Sequence, residues 1–155
     1  MSEAAPTQRD IEMMRHAITL AEEAAASGEV PVAAVLYDDT DIIATGSNRR
    51  ETDCDPTAHA EIIALREAGR IRQSWRLGDC TMAVTLEPCP MCAGALVNAR
   101  IGRLVFGAWD KKAGACETLY VITEDERLNH TVDTCGGVLE EECAGLLSDF
   151  FKTRR

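Results

Sequence analysis

Residues 81–106 read TMAVTLEPCPMCAGALVNARIGRLVF, and this stretch decides the fold class. Thr81–Leu86 is a short apolar run of the kind that forms a buried strand, and Arg103–Phe106 is a second one. Between them, a turn over residues 87–90 leads into the segment Met91–Ala99, which predicts a helix. A strand, a helix and a strand in this order indicate two parallel strands joined by a crossover. The stretch therefore predicts an α/β protein.

The flanking sequence predicts further elements around this unit. A second strand–helix–strand unit precedes it, with Asp55-Pro56 opening the helix and Gly69 ending it, and parallel pairing is expected there too. The long connection from Gly107 to Thr131 is expected to contain some helix. The chain is thus predicted to form one domain over residues 1–155, with flexible residues 1–6, a mixed five-stranded sheet and helices on both faces. The other predicted elements are a helix over Thr7–Ala26, a hairpin of Val32–Leu36 and Ile42–Ala44, an edge strand over Val132–Thr134 and a helix over Val138–Phe151.

The composition is that of an ordinary globular protein and excludes several other classes. Of 155 residues, 46% are hydrophobic and 27% are charged, and no apolar run reaches the roughly 18–20 residues of a membrane-spanning helix. The first ten residues have neither the basic start nor the apolar core of a secretory signal, so a cytoplasmic location is expected. The net charge of −10 argues against general DNA binding, but not against a nucleic acid recognised through a few local contacts.

The seven cysteines include one pair with a functional spacing. Cys89 and Cys92 form a C-x-x-C pair at a predicted helix start, where the helix N-terminus favours the thiolate. Such a pair is typical of a redox site or of half of a metal site. The alternative is two buried, inert cysteines.

The segment His59-Ala60-Glu61 lies near the start of the preceding predicted helix. Its histidine could add a third metal ligand to the two cysteines, and its glutamate would lie beside them. One imidazole and two thiolates make three ligands for a tetrahedral zinc, and a catalytic zinc keeps its fourth position open to water. Spacing alone does not exclude Cys54 or Cys80 as the fourth ligand of a structural zinc site. Glu61 is suited to proton transfer beside such a metal. The alternative is a carboxylate that only stabilises the helix dipole.

H-x-E at residues 59–61 and P-C-x-x-C at residues 88–92 together resemble the signature of the zinc-dependent deaminases of cytosine and adenine bases. Longer stretches are similar to one branch of these enzymes, the bacterial tRNA-specific adenosine deaminases, and this resemblance extends from about Thr7 to Arg155. The stretches that carry it are residues 28–32 (GEVPV), 55–61 (DPTAHAE), 85–89 (TLEPC), 91–95 (MCAGA), 100–103 (RIGR), 106–108 (FGA) and 142–151 (ECAGLLSDFF).

The resemblance implies the three-layer α/β/α fold of cytidine deaminases and the conversion of adenosine to inosine at the wobble position of a tRNA anticodon, usually that of an arginine tRNA. It implies a cytoplasmic homodimer with one Zn²⁺ per chain, held by His59, Cys89 and Cys92 with water in the fourth position. On the same basis, Glu61 is the catalytic proton shuttle and Asn48 matches the residue that hydrogen-bonds the target base. The other matches are Asp110 and Lys112 in the loop that touches the anticodon, and Phe151, Lys152, Arg154 and Arg155 at the helix end that flanks the bound nucleotides.

The chain departs from this family pattern in one loop, at Trp109 and at the segment Cys116-Glu117-Thr118, while the zinc-site motif is intact. Two other functions share parts of the pattern. A deaminase of a free base such as guanine would keep the zinc site and Glu61 but would not need the basic C-terminal helix. A non-catalytic, zinc-stabilised interaction module would close the fourth coordination position with a protein ligand.

Overall fold

The computed structural model describes residues 5–154, which form a five-stranded sheet covered by helices. The predicted flexible segment, residues 1–6, lies mostly outside the described residues, and Arg155 lies outside them too. The described helices include none that is both long and apolar enough to cross a membrane. In chain order the elements are α1 (Gln8–Ala26), β1 (Ala33–Tyr37), β2 (Ile42–Ser47), α2 (Arg50–Asp53), α3 (Ala60–Arg72), β3 (Thr81–Leu86), α4 (Pro90–Asn98), β4 (Arg103–Ala108), a 3-10 turn (Ile122–Glu124), β5 (Asp133–Cys135) and α5 (Glu140–Thr153).

The sheet has the strand order β2-β1-β3-β4-β5. β1 pairs antiparallel with β2 and β3, whereas β3 with β4 and β4 with β5 are parallel. The predicted parallel unit around α4 is therefore confirmed. The prediction that β2 and β3 pair is wrong, because β1 lies between them. All five residues of β1 are buried, as an inner strand requires, whereas β2 begins with the exposed Ile42 and forms an edge of the sheet.

Hydrophobic residues pack on both faces of the sheet, which confirms the predicted three-layer arrangement. On one face, α3 and α4 pack over strand residues such as Leu36, Val84 and Phe106. On the other face, α1 and α5 pack over residues such as Val35 and Val105. Because both faces are covered, the inner strands are continuously apolar rather than alternating.

The capping residue Thr7 fixes the start of α1, and a buried carboxylate attaches this helix to the sheet. Thr7 Oγ1 accepts a hydrogen bond from Asp10 N at 3.0 Å, and the Asp10 carboxylate accepts one from Thr7 N at 2.8 Å. The same carboxylate accepts a bond from the Tyr37 hydroxyl at 2.7 Å and pairs with Arg103 of β4. Although burial opposes ionisation, these bonds lower the pKa of Asp10 below its ordinary value.

The start of α3 lies later in the chain than the sequence predicts. The Asp55 carboxylate accepts bonds from Thr57 N at 2.8 Å and from the Thr57 hydroxyl at 2.7 Å, so Asp55-Pro56 forms a turn and the predicted helix start is wrong. The N-cap of the helix is His59 instead. The predicted end at Gly69 is also wrong, because the left-handed residue that ends the helix is Gln73, at φ 54°.

Gly46 in β2 allows the first turn of α3 to lie directly on the sheet. A Cβ atom at this position would collide with the backbone of Ala60 and Ala64. The close approach explains why a glycine is needed inside this strand. It also holds the first turn of α3, and hence His59 and Glu61, close to the end of β2.

The C-terminal third of the chain follows the prediction with small shifts. The connection after β4 contains only the 3-10 turn Ile122–Glu124 as helical structure within the described residues. The predicted strand over Val132–Thr134 is observed at Asp133–Cys135, and the predicted helix over Val138–Phe151 is observed at Glu140–Thr153.

Candidate active site

The predicted metal ligands occupy the starts of two helices. His59 is the N-cap of α3, Cys89 is the N-cap of α4, and Cys92 lies in the first turn of α4. Pro90 begins α4, where the missing N–H of proline costs no hydrogen bond. This region lies beyond the carboxyl end of the parallel strand β3, the edge at which open α/β sheets bind ligands. The fold therefore brings together two motifs that are about 30 residues apart in sequence.

The separations of the three ligand atoms fit a zinc ion. His59 Nδ1 lies 3.6 Å from Cys89 Sγ and 3.5 Å from Cys92 Sγ. With Zn–S of about 2.3 Å and Zn–N of about 2.0–2.1 Å, tetrahedral angles require an N···S separation of roughly 3.6 Å. The three atoms form the one group of His, Cys, Asp and Glu ligands within residues 5–154 that could hold a metal. Cys54, which is exposed, and Cys80, which is buried in the core, are not in this group.

The two thiols share a hydrogen bond that prepares the group for a cation. The bond from the Cys92 thiol lowers the pKa of Cys89 to about 4, against the opposing effect of burial. The same bond, together with burial, raises the pKa of Cys92. The bond to Cys89 also raises the pKa of His59. Zinc coordinates cysteine as a thiolate and histidine as a neutral imidazole, so zinc binding releases the protons that these ligands still hold.

Glu61 lies in the first turn of α3 and is 3% exposed. Burial raises the pKa of its carboxyl group to about 7. A group that titrates near neutral pH can both accept and release a proton during a reaction. A carboxylate that only stabilised the helix dipole would gain nothing from being buried beside a metal group, so the position of Glu61 favours the catalytic interpretation.

A cavity of about 270 Å³ opens onto this group and contains most of the predicted site residues. Of the predicted substrate-binding residues, Asn48, Asp110 and Phe151 line it, whereas the exposed Lys112 does not. Cys92 is fully buried behind the wall. The complete lining consists of Val30, Val32, Asn48, Arg50, His59, Ala60, Glu61, Leu86, Glu87, Cys89, Asp110, Ala113 and Phe151.

Asn48 follows β2 and is held in place by two hydrogen bonds. Its backbone N–H donates to Val32 O at 3.0 Å, and its side-chain Oδ1 accepts from Arg50 N at 3.1 Å. The side chain is 8% exposed. An amide fixed in this way in a mostly apolar wall is suited to orienting a polar ligand.

Two buried carboxylates, Glu87 in the cavity lining and Glu29 next to the lining residue Val30, were not among the predicted site residues. Glu29 accepts bonds from Glu51 N, Thr52 N and the Thr52 hydroxyl at 2.6–3.2 Å, and so holds the segment that carries Arg50. Glu87 holds the loop after β4 in the same manner. The signal that could have revealed Glu87 is a charged residue directly after the buried strand Thr81–Leu86, where no solvent exposure is expected.

The residues that depart from the family pattern, Trp109 and Cys116-Glu117-Thr118, form hydrogen bonds with one another and with Glu87. Trp109 Nε1 donates to Glu117 Oε2 at 3.1 Å, and the Trp109 ring packs edge-on against Phe106 with centroids 5.7 Å apart. The Thr118 hydroxyl donates to Glu87 Oε1. The unusual residues therefore stabilise the loop.

Comparison with known proteins identifies the family to which this geometry belongs. A profile of the cytidine and deoxycytidylate deaminase zinc-binding region matches residues 7–108. The chain belongs to this deaminase family. The tRNA-specific adenosine deaminase of Haemophilus influenzae is 52% identical over 147 residues, covering 94% of this chain and 85% of that protein. The expectations of a deaminase fold, an enzymatic function and a zinc cofactor are thereby confirmed.

Two solved structures are similar to this chain to different degrees. A structure from a study of A-to-I editing by tRNA:A34 deaminases at the wobble position of transfer RNA has a TM-score of 0.84 and 40% identity, covering 88% of this chain and 99% of that chain. A guanine deaminase from Bacillus subtilis has a TM-score of 0.63 and 33% identity, covering 92% of each chain. The chain is thus more similar to the tRNA-modifying enzyme than to this free-base deaminase.

Proposed function

We propose that this chain deaminates adenosine to inosine at the wobble position of a tRNA anticodon. The observation that carries the function is the cavity in which the buried Glu61 lies beside the group formed by His59, Cys89 and Cys92. Relatives named tRNA-specific adenosine deaminases, at 41–52% identity, support the choice of substrate. An arginine tRNA is the proposed carrier of this adenosine.

We assign His59, Cys89 and Cys92 as the zinc ligands and Glu61 as the catalytic acid and base. Zinc at this site supplies Lewis-acid activation of a water molecule. The carboxylate of Glu61 takes up a proton from this water and delivers it to the departing amino group. With zinc bound, the water oxygen would bond to the base carbon and the carbon–nitrogen bond would break, so that ammonia leaves. The second proton of the water would remain on the product as the ring N–H of inosine. Burial, which raises the pKa of Glu61, favours its protonated form and so equips the carboxyl group to release as well as to accept a proton.

The cavity wall holds the base while these protons move. Val30, Val32 and Leu86 provide apolar surface, and the fixed amide of Asn48 provides hydrogen bonds for the edge of the base. Phe151 lies at the rim and is half exposed, so its ring is available for stacking by a neighbouring base. Such a wall excludes water from the reacting group and orients a base that has been removed from a stack.

The charge of the chain restricts how RNA is bound. At a net charge of −10, RNA cannot be attracted by the surface as a whole. Splayed bases of a single-stranded loop suit a small pocket instead. The basic residues proposed to contact phosphates are Lys112, Lys152, Arg154 and Arg155.

The proposed function is tested by measuring inosine formation on a panel of transcribed anticodon arms. The zinc-loaded chain is expected to convert the wobble adenosine of an arginine arm and to leave free guanine unchanged. Conversion of guanine without conversion of any arm would replace the proposal with a free-base deaminase. Retention of zinc without either activity would indicate a non-catalytic module.

The basic end of α5 is expected to contribute to the salt dependence of RNA binding. The test is a triple variant with the substitutions Lys152→Gln, Arg154→Gln and Arg155→Gln. The negative slope of log K against log salt should become shallower by about 0.7 for each single-strand phosphate that the protein no longer neutralises. Neutral side chains of similar length preserve the helix better than truncation does. Fluorescence anisotropy with a labelled anticodon arm at several salt concentrations measures the slope.

Arg127→Gln is a matched control for this prediction. Arg127 is 89% exposed, pairs with Asp125 and does not line the cavity. Its substitution should leave the slope unchanged. An unchanged slope in the triple variant as well would place the phosphate contacts elsewhere.

We further propose that the chain acts as a homodimer in the cytoplasm, where tRNA is modified. The outer side of α4 and its neighbours carry apolar residues that the described chain leaves uncovered. Trp75 is 56% exposed, and a Cβ atom added at Gly94 would meet open space. Ile62, Leu65, Trp75, Leu77, Ala95 and Ala99 contribute the apolar surface of a cleft on this side.

Gly94→Arg tests the dimer without disturbing the folded chain. Because a Cβ atom at Gly94 meets no other atom of the described chain within 4 Å, the variant should fold normally but shift light-scattering mass from dimer to monomer. Gly145→Arg on α5 is the matched control, since its Cβ also meets open space. A monomeric parent chain at micromolar concentration, still active on the anticodon arm, would contradict the proposal.

A further inference from the structure

Glu87 is a buried carboxylate that accepts an unusual number of hydrogen bonds from one loop. It follows β3 directly, precedes the ligand Cys89 by two residues, and is 2% exposed. Its Oε1 accepts bonds from the backbone N–H of Asp110 and from the Thr118 hydroxyl. Its Oε2 accepts bonds from the remaining donors, the backbone N–H groups of Cys116, Glu117 and Thr118, at 2.8–3.2 Å.

These bonds hold both ends of the loop from Asp110 to Thr118 against one side chain. Between the two ends, Gly114 lies so close that a Cβ atom there would collide with Glu87 Oε1. Ala115 N also donates to Pro88 O at 2.9 Å, which attaches the middle of the loop to the turn before α4. The loop is therefore held in shape by its hydrogen bonds to the side chain of Glu87 and to the backbone of Pro88.

The same loop forms one wall of the cavity. Asp110 and Ala113 line it, and Asp110 Oδ1 accepts bonds from Lys112 N at 2.9 Å and Ala113 N at 3.3 Å. The hydrogen bond from Asp110 N to Glu87 thus anchors the first residue of this turn. Glu61 and the metal group, by contrast, belong to α3 and to the turn that begins α4.

We propose that Glu87 is a positioning residue that fixes the loop wall of Asp110 and Ala113, so that substrate binding depends on it more than the chemical step does. The proposal rests on the proposed deamination of an anticodon adenosine. Glu87 acts through the loop and does not itself transfer protons. A purely structural role would instead lower the fraction of folded, active protein without altering how that fraction binds substrate.

The test is the zinc-loaded Glu87→Gln variant. Glutamine preserves the size of the side chain but places an NH₂ group against donors that need an acceptor, and a buried donor left unsatisfied is costly. KM for the anticodon arm should rise about tenfold or more while kcat changes less than about threefold. The reason is that the loop wall stabilises the bound substrate and the transition state equally. Zinc content should stay at that of the parent chain.

Amide exchange measured by NMR provides a readout that needs no substrate. Because glutamine keeps one acceptor oxygen, the amides that face its NH₂ group instead, either that of Asp110 or those of Cys116, Glu117 and Thr118, should exchange at least about tenfold faster in the variant. Amides in the pairing of β3 with β4 should keep the rates of the parent chain. Thr118→Val, which removes only the hydroxyl bond, should give smaller changes in both exchange and KM.

Asp10→Asn is the matched control for a loss of stability. Asp10 is also a buried carboxylate with several donors, but it belongs to α1 and contacts Tyr37 of β1 and Arg103 of β4, and it does not line the cavity. Its substitution should lower the melting temperature by about 10 °C and leave KM unchanged. The double variant Glu87→Gln/Asp110→Ala should raise KM by less than the product of the two single effects, because part of the effect of Glu87 passes through Asp110.

Two results would overturn the positioning role. One is an unchanged exchange rate at the four loop amides in Glu87→Gln, which needs no assumption about the substrate. The other is a lower kcat with an unchanged KM, as in a protein that is merely less stable. If the parent chain converts no anticodon arm, the proposed function fails, while the exchange experiment still decides whether Glu87 fixes the loop.

Discussion

The zinc-loaded Glu61→Gln variant is expected to form inosine about 10²–10⁴-fold more slowly than the parent chain. Glutamine fills the same space but cannot take up a proton from water. Because Glu61 is 3% exposed, bulk solvent cannot replace it at the reacting group. Single-turnover rate constants on a saturating anticodon arm, with zinc content measured on the same sample, provide the test.

Glu67→Gln is the matched control for this variant. Glu67 lies on the same helix, but its side chain is 42% exposed and pairs with Arg70 on the surface. Its rate constant should equal that of the parent chain. If zinc-loaded Glu61→Gln were within about threefold of the parent, proton transfer by Glu61 would be excluded.

Removal of zinc is expected to abolish deamination, and readdition of zinc should restore it. Metal analysis of the untreated chain should find about one zinc per chain. We expect the metal to bind only the folded arrangement of His59, Cys89 and Cys92, so it should stabilise the chain by about 4 kcal/mol at a free zinc concentration 1,000 times Kd. Thermal unfolding with and without chelator measures this difference.

Cysteine variants separate this site from the other thiols. Cys92→Ala should lose both zinc and activity, whereas Cys54→Ser and Cys80→Ala should retain one zinc per chain. The structure places neither Cys54 nor Cys80 in the metal group. Loss of zinc from either control variant would indicate a structural site with a fourth protein ligand, in place of a catalytic one.

The parts of this protein that depend on local sequence were predicted well. The strand Thr81–Leu86, the helix after it and the parallel strand β4 follow from apolar runs separated by a proline-rich turn. The ligand set follows from the chemistry of imidazole and thiolate at the C-x-x-C and H-x-E spacings. Each element and each motif is contained in a few consecutive residues and can be recognised from local periodicity and spacing, whereas the fold brings the two motifs together.

Strand order and the start of α3 required the tertiary structure. Nothing within Val32–Leu36 indicates that this strand lies between β2 and β3. The order of the strands depends on which of them is covered on both faces, and the covering helices come from other parts of the chain. Asp55-Pro56 has the local features of a helix start. The side-chain bonds of Asp55 to Thr57 instead form a turn, and the helix begins where Gly46 allows it to approach β2.

The sequence by itself determined the class of fold and indicated the proposed metal ligands and Glu61, since these depend on residue chemistry and on short-range spacing. Only the tertiary structure decided the shape of the cavity around them. It placed Asn48, Asp110 and Phe151 on the wall and left Lys112 outside it. It also revealed Glu87, whose hydrogen-bond partners lie 23 to 31 positions further along the chain. A buried carboxylate is stabilised by whichever donors the fold brings to it, and those donors are not encoded next to it in the sequence.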